Sequence, residues 1–248
     1  MTPPASGQIQ PIVVIGGGFA GLSTALAFSL LHPRPAVVLI EPRDRFVFVP
    51  LLYELMSGEL KGWEVAPDYA SLLQGHGISH LQDRASSIDL DARSVTTASG
   101  RALHYSQLVI ATGAQPEDFG IQGVRDNALN FHTLSDLQPL QERVQELRRR
   151  PSGTSSLVIA GAGATGVELA CKLVDMLNGA ATVQLVELGD QILPRSKAFN
   201  REQAEKALKK RGVTVHLNTK VESVTATSVM LSGAQGSSQQ NHCLLYTS

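Results

Sequence analysis

Ile12-Val13-Val14-Ile15-Gly16-Gly17-Gly18-Phe19-Ala20-Gly21 decides how the rest of the chain is read. Four β-branched residues make a strand, and the spacing Gly16-x-Gly18-x-x-Gly21 follows at once, with an Ala- and Leu-rich helical run behind it. In the order strand, glycine turn, helix, this pattern is a dinucleotide fingerprint rather than a chance spacing. The first glycine permits the tight turn, the second lets backbone approach a pyrophosphate, and the third lets the helix pack close to the strand. Phe19 and Ala20 then open a helix whose free N–H groups and dipole favour phosphate.

Working outward, residues 36–40 form a continuous apolar run, the pattern of a buried parallel strand. It ends in Glu41, 20 residues beyond Gly21. An acid at that place accepts hydrogen bonds from the hydroxyls of an adenosine ribose. The whole pattern then recurs: an apolar strand over 157–160, Gly161-x-Gly163-x-x-Gly166, a helix over 167–177, and a strand over 181–186 ending in Glu187. Glu187 favours a free ribose hydroxyl, hence NADH over NADPH, because a 2′-phosphate beside a carboxylate is repelled. Between the two copies, the strand over 107–110 runs into Ala111-Thr112-Gly113-Ala114. Small residues at the carboxyl end of a strand suit a ligand lying against an open α/β sheet.

The expected fold class is therefore α/β, with two Rossmann-like dinucleotide-binding domains. The boundaries read from composition are a flexible N-terminus at 1–10, a first domain at 11–150, a Pro/Gly/Ser linker at 151–156, a second domain at 157–231, and an unstructured tail at 232–248. A helix within 131–150 takes Ser135 as its N-cap, and its basic end, Arg148-Arg149-Arg150, complements the helix dipole.

Composition narrows the chemistry. In 248 residues, 43% hydrophobic and 17% charged, the formal net charge is -1, which offers no electrostatic footprint for nucleic acid. Two cysteines, Cys171 and Cys243, make neither a disulfide framework nor a Cys-based zinc site. His76 and His80 are four apart, but Gly75 and Gly77 argue against one helix presenting both, so no metal site is expected. The N-terminal stretch lacks the plan of a signal peptide, and no apolar run reaches the roughly 20 residues that span a bilayer.

Two dinucleotide motifs with an Ala-Thr-Gly strand end between them resemble the FAD-dependent pyridine nucleotide-disulfide oxidoreductase superfamily. The resemblance implies an FAD domain with an inserted NAD(P)H domain. Phe46-Val47-Phe48-Val49-Pro50-Leu51-Leu52-Tyr53-Glu54-Leu55 with Ser57-Gly58-Glu59 is similar to the type II NADH dehydrogenases, single-chain NADH:quinone oxidoreductases, and Trp63-Glu64-Val65-Ala66-Pro67 to their cyanobacterial and chloroplast branch. By that resemblance Gly16, Gly18, Phe19, Ala20, Gly21 and Glu41 bind FAD, Thr112 and Gly113 lie near its ribityl or pyrophosphate, and Pro50, Leu51 and Leu52 wall the flavin. Gly161, Gly163, Gly166 and Glu187 bind NADH, and Glu168 is the candidate acid near the reacting rings. The implied partner is a quinone, with peripheral membrane contact on the cytoplasmic face of a plasma or thylakoid membrane.

Members of that family are longer, returning after the NADH domain to complete the FAD domain and ending in membrane-docking helices. Residues 243–248 match, in one reading frame, a transposon-library adapter. The expectation is a C-terminally truncated fragment with a non-native tail, which lacks the closing part of its FAD domain, holds FAD weakly, and meets the membrane only through what is missing. Three other readings share the motifs. A sulfide:quinone oxidoreductase needs cysteines beside the flavin, a ferredoxin- or rubredoxin-type reductase hands electrons to a protein, and a non-catalytic module binds NADH without flavin.

Overall fold

A computed structural model describes residues 10–151, 153–233 and 236–246, the last stretch as backbone. The chain begins β1 (Ile12–Ile15), α1 (Phe19–Ser29), β2 (Val37–Ile40), a 3-10 turn (Val49–Leu51) into α2 (Leu52–Ser57), α3 (Gly62–Val65), α4 (Tyr69–Leu73), β3 (Ile78–Leu81), β4 (Ala85–Asp89), β5 (Ser94–Thr97), β6 (Ala102–His104) and β7 (Gln107–Ile110). It continues with α5 (Val124–Asn127), β8 (Leu129–Asn130), α6 (Leu134–Arg149), β9 (Ser156–Ala160), α7 (Ala164–Leu177), β10 (Thr182–Val186), α8 (Ala198–Lys210), β11 (Thr214–His216), β12 (Thr219–Val224), β13 (Ser228–Gly233) and β14 (Gly236–Tyr246). These elements form two compact units, residues 1–48 with 61–114, and residues 49–60 with 115–248.

The first unit is a parallel sheet in the order β3-β2-β1-β7, with a three-stranded antiparallel β4-β5-β6 sheet beside it in sequence. The two-residue period of a strand puts Ile12 and Val14 on one face, packed with Leu22 and Ala25 of α1 and with Tyr69, Leu73 and Phe46. Val13 and Ile15 face the other way, into a cluster with Ile40, Val95 and Tyr105. Both faces of β1 are covered, which is why its sequence is apolar without alternation. Burial of each such Val or Ile stabilises by about 2 kcal/mol.

The second unit repeats the plan. Strands β10 and β9 are parallel, with β11 beyond β10. Val158, Ala160 and Val186 pack with Val221, Val224, Val229 and Leu231.

Three expectations are corrected. The boundary lies at Ala114/Gln115, not at 150, and residues 49–60 leave the first unit for the second. The reason is the apolar stripe of α6: Leu137, Leu140, Val144 and Leu147 are buried in the second unit, so the helix belongs where its face is covered. Of the Pro/Gly/Ser stretch after it, residues 153–154 are turn and bend and Ser156 already belongs to β9. The tail expected to be unstructured contains β14, which pairs antiparallel with β13 over 236–241 and parallel with β9 over 242–246. An open edge of β9 leaves N–H and C=O groups unpaired, and a returning backbone satisfies them whatever its side-chain pattern. The N-cap of α6 is Thr133 rather than Ser135, because Asp136 Oδ2 accepts from the N–H of Thr133 at 2.7 Å and of His132 at 2.9 Å. Residues 1–9 of the N-terminal segment lie outside the described residues.

Candidate functional site

The first turn shows why each motif glycine is needed. Gly16 has φ +97°, and a Cβ there would stand 2.3 Å from the Ala111 carbonyl oxygen and 3.2 Å from Thr112 Cα. The strand end carrying Thr112 and Gly113 therefore lies against the turn, and both residues are exposed there. A Cβ on Gly21 would meet the Gly16 carbonyl oxygen at 1.8 Å, so helix and strand approach as closely as glycine allows. At Gly18 a Cβ would meet nothing within 4 Å: this side of the turn is open. No side chain caps α1, and among the described residues no acceptor takes the N–H groups of Gly18, Phe19 or Ala20. An uncapped helix start with free donors facing open space is suited to an anion. Phe19, partly exposed, sits edge-on to Phe46 and Phe48 with centroids 5.2 and 5.0 Å away.

Glu41 is 4% exposed. Its Oε2 accepts from the Gly17 N–H at 2.7 Å and from Arg43 Nη2 at 3.1 Å, while Oε1 accepts from the Arg43 N–H at 3.0 Å and from Arg43 Nε at 2.8 Å. Burial alone would raise the Glu41 pKa; the hydrogen bonds from Arg43 and Gly17 outweigh it and hold the carboxyl below its ordinary value. Four donors match the roughly four acceptor positions of a carboxylate, so a ribose hydroxyl must exchange with the guanidinium.

The second turn is built alike. Gly161 has φ +98°. Its N–H donates to Val186 O at 2.8 Å, as the Gly16 N–H does to Ile40 O at 2.9 Å. Gly163 is open, Gly166 is a buried residue of α7 itself, and α7 has no side-chain cap. Glu187 Oε2 accepts from the Ala162 N–H and Oε1 from the Gly189 N–H, each at 2.8 Å. Glu187 thus repeats the contact of Glu41, and among the described residues no arginine lies over it, so acceptor positions stay available for ribose hydroxyls.

Glu168 is exposed on α7, beside Tyr53. The Tyr53 hydroxyl donates to Thr165 O at 3.4 Å and its ring lies 4.8 Å from Phe131. Burial, then the charge of Glu168, push the Tyr53 phenol well above its ordinary range. Of the residues expected to wall a flavin, Leu52 is wholly enclosed at the start of α2 and has no surface to offer, whereas Pro50 is exposed and Leu51 half-buried. All three belong to the second unit, so the structure does not gather them into the unit that holds Gly16–Gly21.

His76 and His80 are spoken for: His76 Nδ1 lies 3.0 Å from Ser29 Oγ and His80 Nε2 3.0 Å from Glu41 O. Among the described residues no three His, Cys, Asp or Glu side chains are grouped to hold a metal ion, and no helix is long and apolar enough to cross a membrane.

Sequence reasoning missed Gly17, Arg43, Tyr69 and Leu193. Only Gly17 and Arg43 gave a local signal, a third glycine inside the motif and a base two residues past the acid. Tyr69 reaches Gly17 from 52 residues away, and Leu193 reaches the second turn from beyond its closing strand.

Residues 10–246 match the family described as pyridine nucleotide-disulphide oxidoreductase. Over 228 residues the chain is 38% identical to demethylphylloquinone reductase NdbB of Synechocystis, covering 89% of this chain and 56% of that protein. Over 237 residues it is 35% identical to the alternative NAD(P)H-ubiquinone oxidoreductase C1 of Arabidopsis thaliana, covering 88% and 46%. The chain therefore spans about half the length of the curated relatives it matches. It shares its fold with NDH2 of Plasmodium falciparum, solved in complex with NADH, at TM-score 0.85 and 20% identity, covering 97% of this chain and 55% of that one.

Proposed function

Because the chain belongs to the pyridine nucleotide-disulphide oxidoreductase family, we propose that it binds FAD at the first turn and NADH at the second, and serves electron transfer from NADH to a membrane quinone. The observation that carries this is the doubled turn, each copy with open helix-start amides and a strand-end glutamate pinned to the residue after its first glycine. The residues fit a dinucleotide: only glycine is accommodated at Gly16 and Gly21, and the side of the turn facing Gly18 is open. Likeness to the demethylphylloquinone and ubiquinone reductases supports a quinone as the acceptor.

FAD supplies a two-electron carrier that accepts a hydride from a nicotinamide and returns electrons to a quinone. The chain supplies position. The N–H groups of Gly18, Phe19 and Ala20 hold the FAD pyrophosphate at the positive end of α1. Glu41 takes the adenosine ribose in exchange for the Arg43 guanidinium, and Thr112 and Gly113 border the same ligand. Gly163 and the amides behind it hold the NADH pyrophosphate, and Glu187 binds its ribose and repels a 2′-phosphate. Glu168, exposed on α7 of the second unit, would be the acid or base of the hydride transfer. A quinone is dissolved in a bilayer, so the reading entails peripheral contact with a membrane at its cytoplasmic face.

Sulfide oxidation is the second reading, raised by 36% identity over 155 residues to the sulfide-quinone reductase of Aquifex aeolicus. Cys171 gives it no support: burial raises its thiol above the ordinary value, which disfavours the thiolate. The test is spectroscopic. Purified with FAD, the protein should show flavin bands that NADH bleaches and a short-chain quinone restores. Bands that NADH leaves untouched, or that sulfide bleaches in its place, would overturn the proposal.

A further inference from the structure

In both turns the peptide after the first glycine is held from two sides. The Gly17 N–H donates to Glu41 Oε2 at 2.7 Å, and the Gly17 carbonyl accepts from the Tyr69 hydroxyl at 2.7 Å. The Ala162 N–H donates to Glu187 Oε2 at 2.8 Å, and the Ala162 carbonyl accepts from the Leu193 N–H at 2.8 Å. The two carbonyl donors are unrelated, a phenol on a helix and a backbone amide in a loop. Each is costly to place. Tyr69 is fully buried, and its hydroxyl occupies the space of a Gly17 side chain: a Cβ there would stand 2.3 Å from it. Leu193 has φ +47°, in the left-handed region that a residue with a side chain rarely adopts. Two unrelated donors meeting one equivalent carbonyl point to the orientation of that carbonyl as the thing being fixed.

Orientation matters because a trans peptide is planar, with its C=O and the following N–H pointing opposite ways. Tying the Gly17 carbonyl to the core turns the Gly18 N–H outward, to the side where Gly18 meets nothing within 4 Å. A flipped peptide would aim a carbonyl oxygen at an arriving phosphate. We infer that Tyr69 is a positioning residue that locks the Gly17–Gly18 peptide with its N–H toward the dinucleotide pyrophosphate, the role the Leu193 N–H performs for Ala162–Gly163. The inference rests on the reading of the first turn as the FAD site.

The test compares the full chain with its Tyr69→Phe variant, which keeps the ring and loses the hydroxyl. FAD binding is followed by quenching of flavin fluorescence, the bound pyrophosphate by its 31P resonances, and NADH binding at the second turn serves as the check on folding. Loss of one hydrogen bond to a buried carbonyl should weaken FAD about tenfold and move the 31P signals toward those of free FAD, with NADH affinity unchanged. Gly17→Ala, which displaces the hydroxyl from the other side, should give the same selective loss. Equal FAD affinity and equal 31P shifts in wild type and Tyr69→Phe would overturn the inference alone. A parallel loss of FAD and NADH binding would also overturn it, marking Tyr69 as an ordinary folding residue. A wild-type chain that binds NADH but not FAD would overturn the flavin reading, and the inference with it.

Discussion

Ala162 stands in the second turn where Gly17 stands in the first, and the difference shows how far a motif depends on its surroundings. Gly17 is outside the G-x-G-x-x-G positions, yet a Cβ there would also meet Glu41 Cγ at 2.8 Å. Ala162, fully buried, has a backbone amide where the first turn has a phenol, and so has room for its methyl. Gly17→Ala is expected to cost about 2 kcal/mol of stability through overpacking, whereas Ala162→Gly should cost under about 1 kcal/mol; urea midpoints measure both. Glu187→Gln keeps an acceptor for the Ala162 N–H but removes the charge. It should weaken NADH about tenfold and narrow the preference over NADPH, read from titrations with both nucleotides. Glycine spacing and the two acids were legible in the sequence because they are local rules of backbone and charge. Tyr69 and Leu193 were not, since their contacts arise only when distant segments meet.

At the scale of elements, α2 and α6 were read as part of the first domain, and their contacts tie them to the second unit. Gln141 Nε2 donates to Met56 O at 2.9 Å, and Lys172 Nζ of α7 bridges Glu59 at 2.6 Å. Composition could not reveal this, because an amphipathic helix announces that one face is buried but not against what. Leu140, fully enclosed in the α6 stripe, is the residue to change. Leu140→Ala should destabilise the second unit by about 2–5 kcal/mol, visible as a lowered melting transition. The arginine-rich end of α6 has its sequence explanation, with Arg143 and Arg150 also paired to Glu146. On β11, His216 Nε2 lies 2.8 Å from Gln184 Oε1, and burial lowers its pKa from 6.5. The unfolded chain therefore takes up a proton first as pH falls. Stability should be full above pH 6.5 and decline as pH drops from there through the folded value. Replacing His216 with Gln should flatten that part of the stability profile.

At the scale of the molecule, the fold is one plan used twice: a parallel sheet, a glycine turn into a helix, and an acid at the end of the next strand. Each unit closes differently. The first presents β7 at the edge of its sheet, with Ile110 60% exposed. In the second, β14 joins the β12–β13 hairpin to the parallel strands. Removal of residues 236–246 should expose the backbone of both β9 and β13 and make the second unit more prone to aggregate. Light scattering after expression of the shortened chain checks this; a monodisperse product would show that β14 is dispensable.

The sequence by itself determined the α/β class, the two strand–turn–helix units and the acids that close them. Each follows from neighbours along the chain: apolar runs for strands buried on both faces, glycines where only a missing side chain fits, a charge at a strand end. Tertiary structure decided which helices serve which unit, that Arg43 saturates Glu41 while Glu187 keeps acceptors open, and that a phenol in one turn and a strained amide in the other fix the same carbonyl. Apart from the local Arg43–Glu41 pair, those outcomes depend on satisfying buried groups across long stretches of chain. Many residue types can do that, so no local pattern announces which one does.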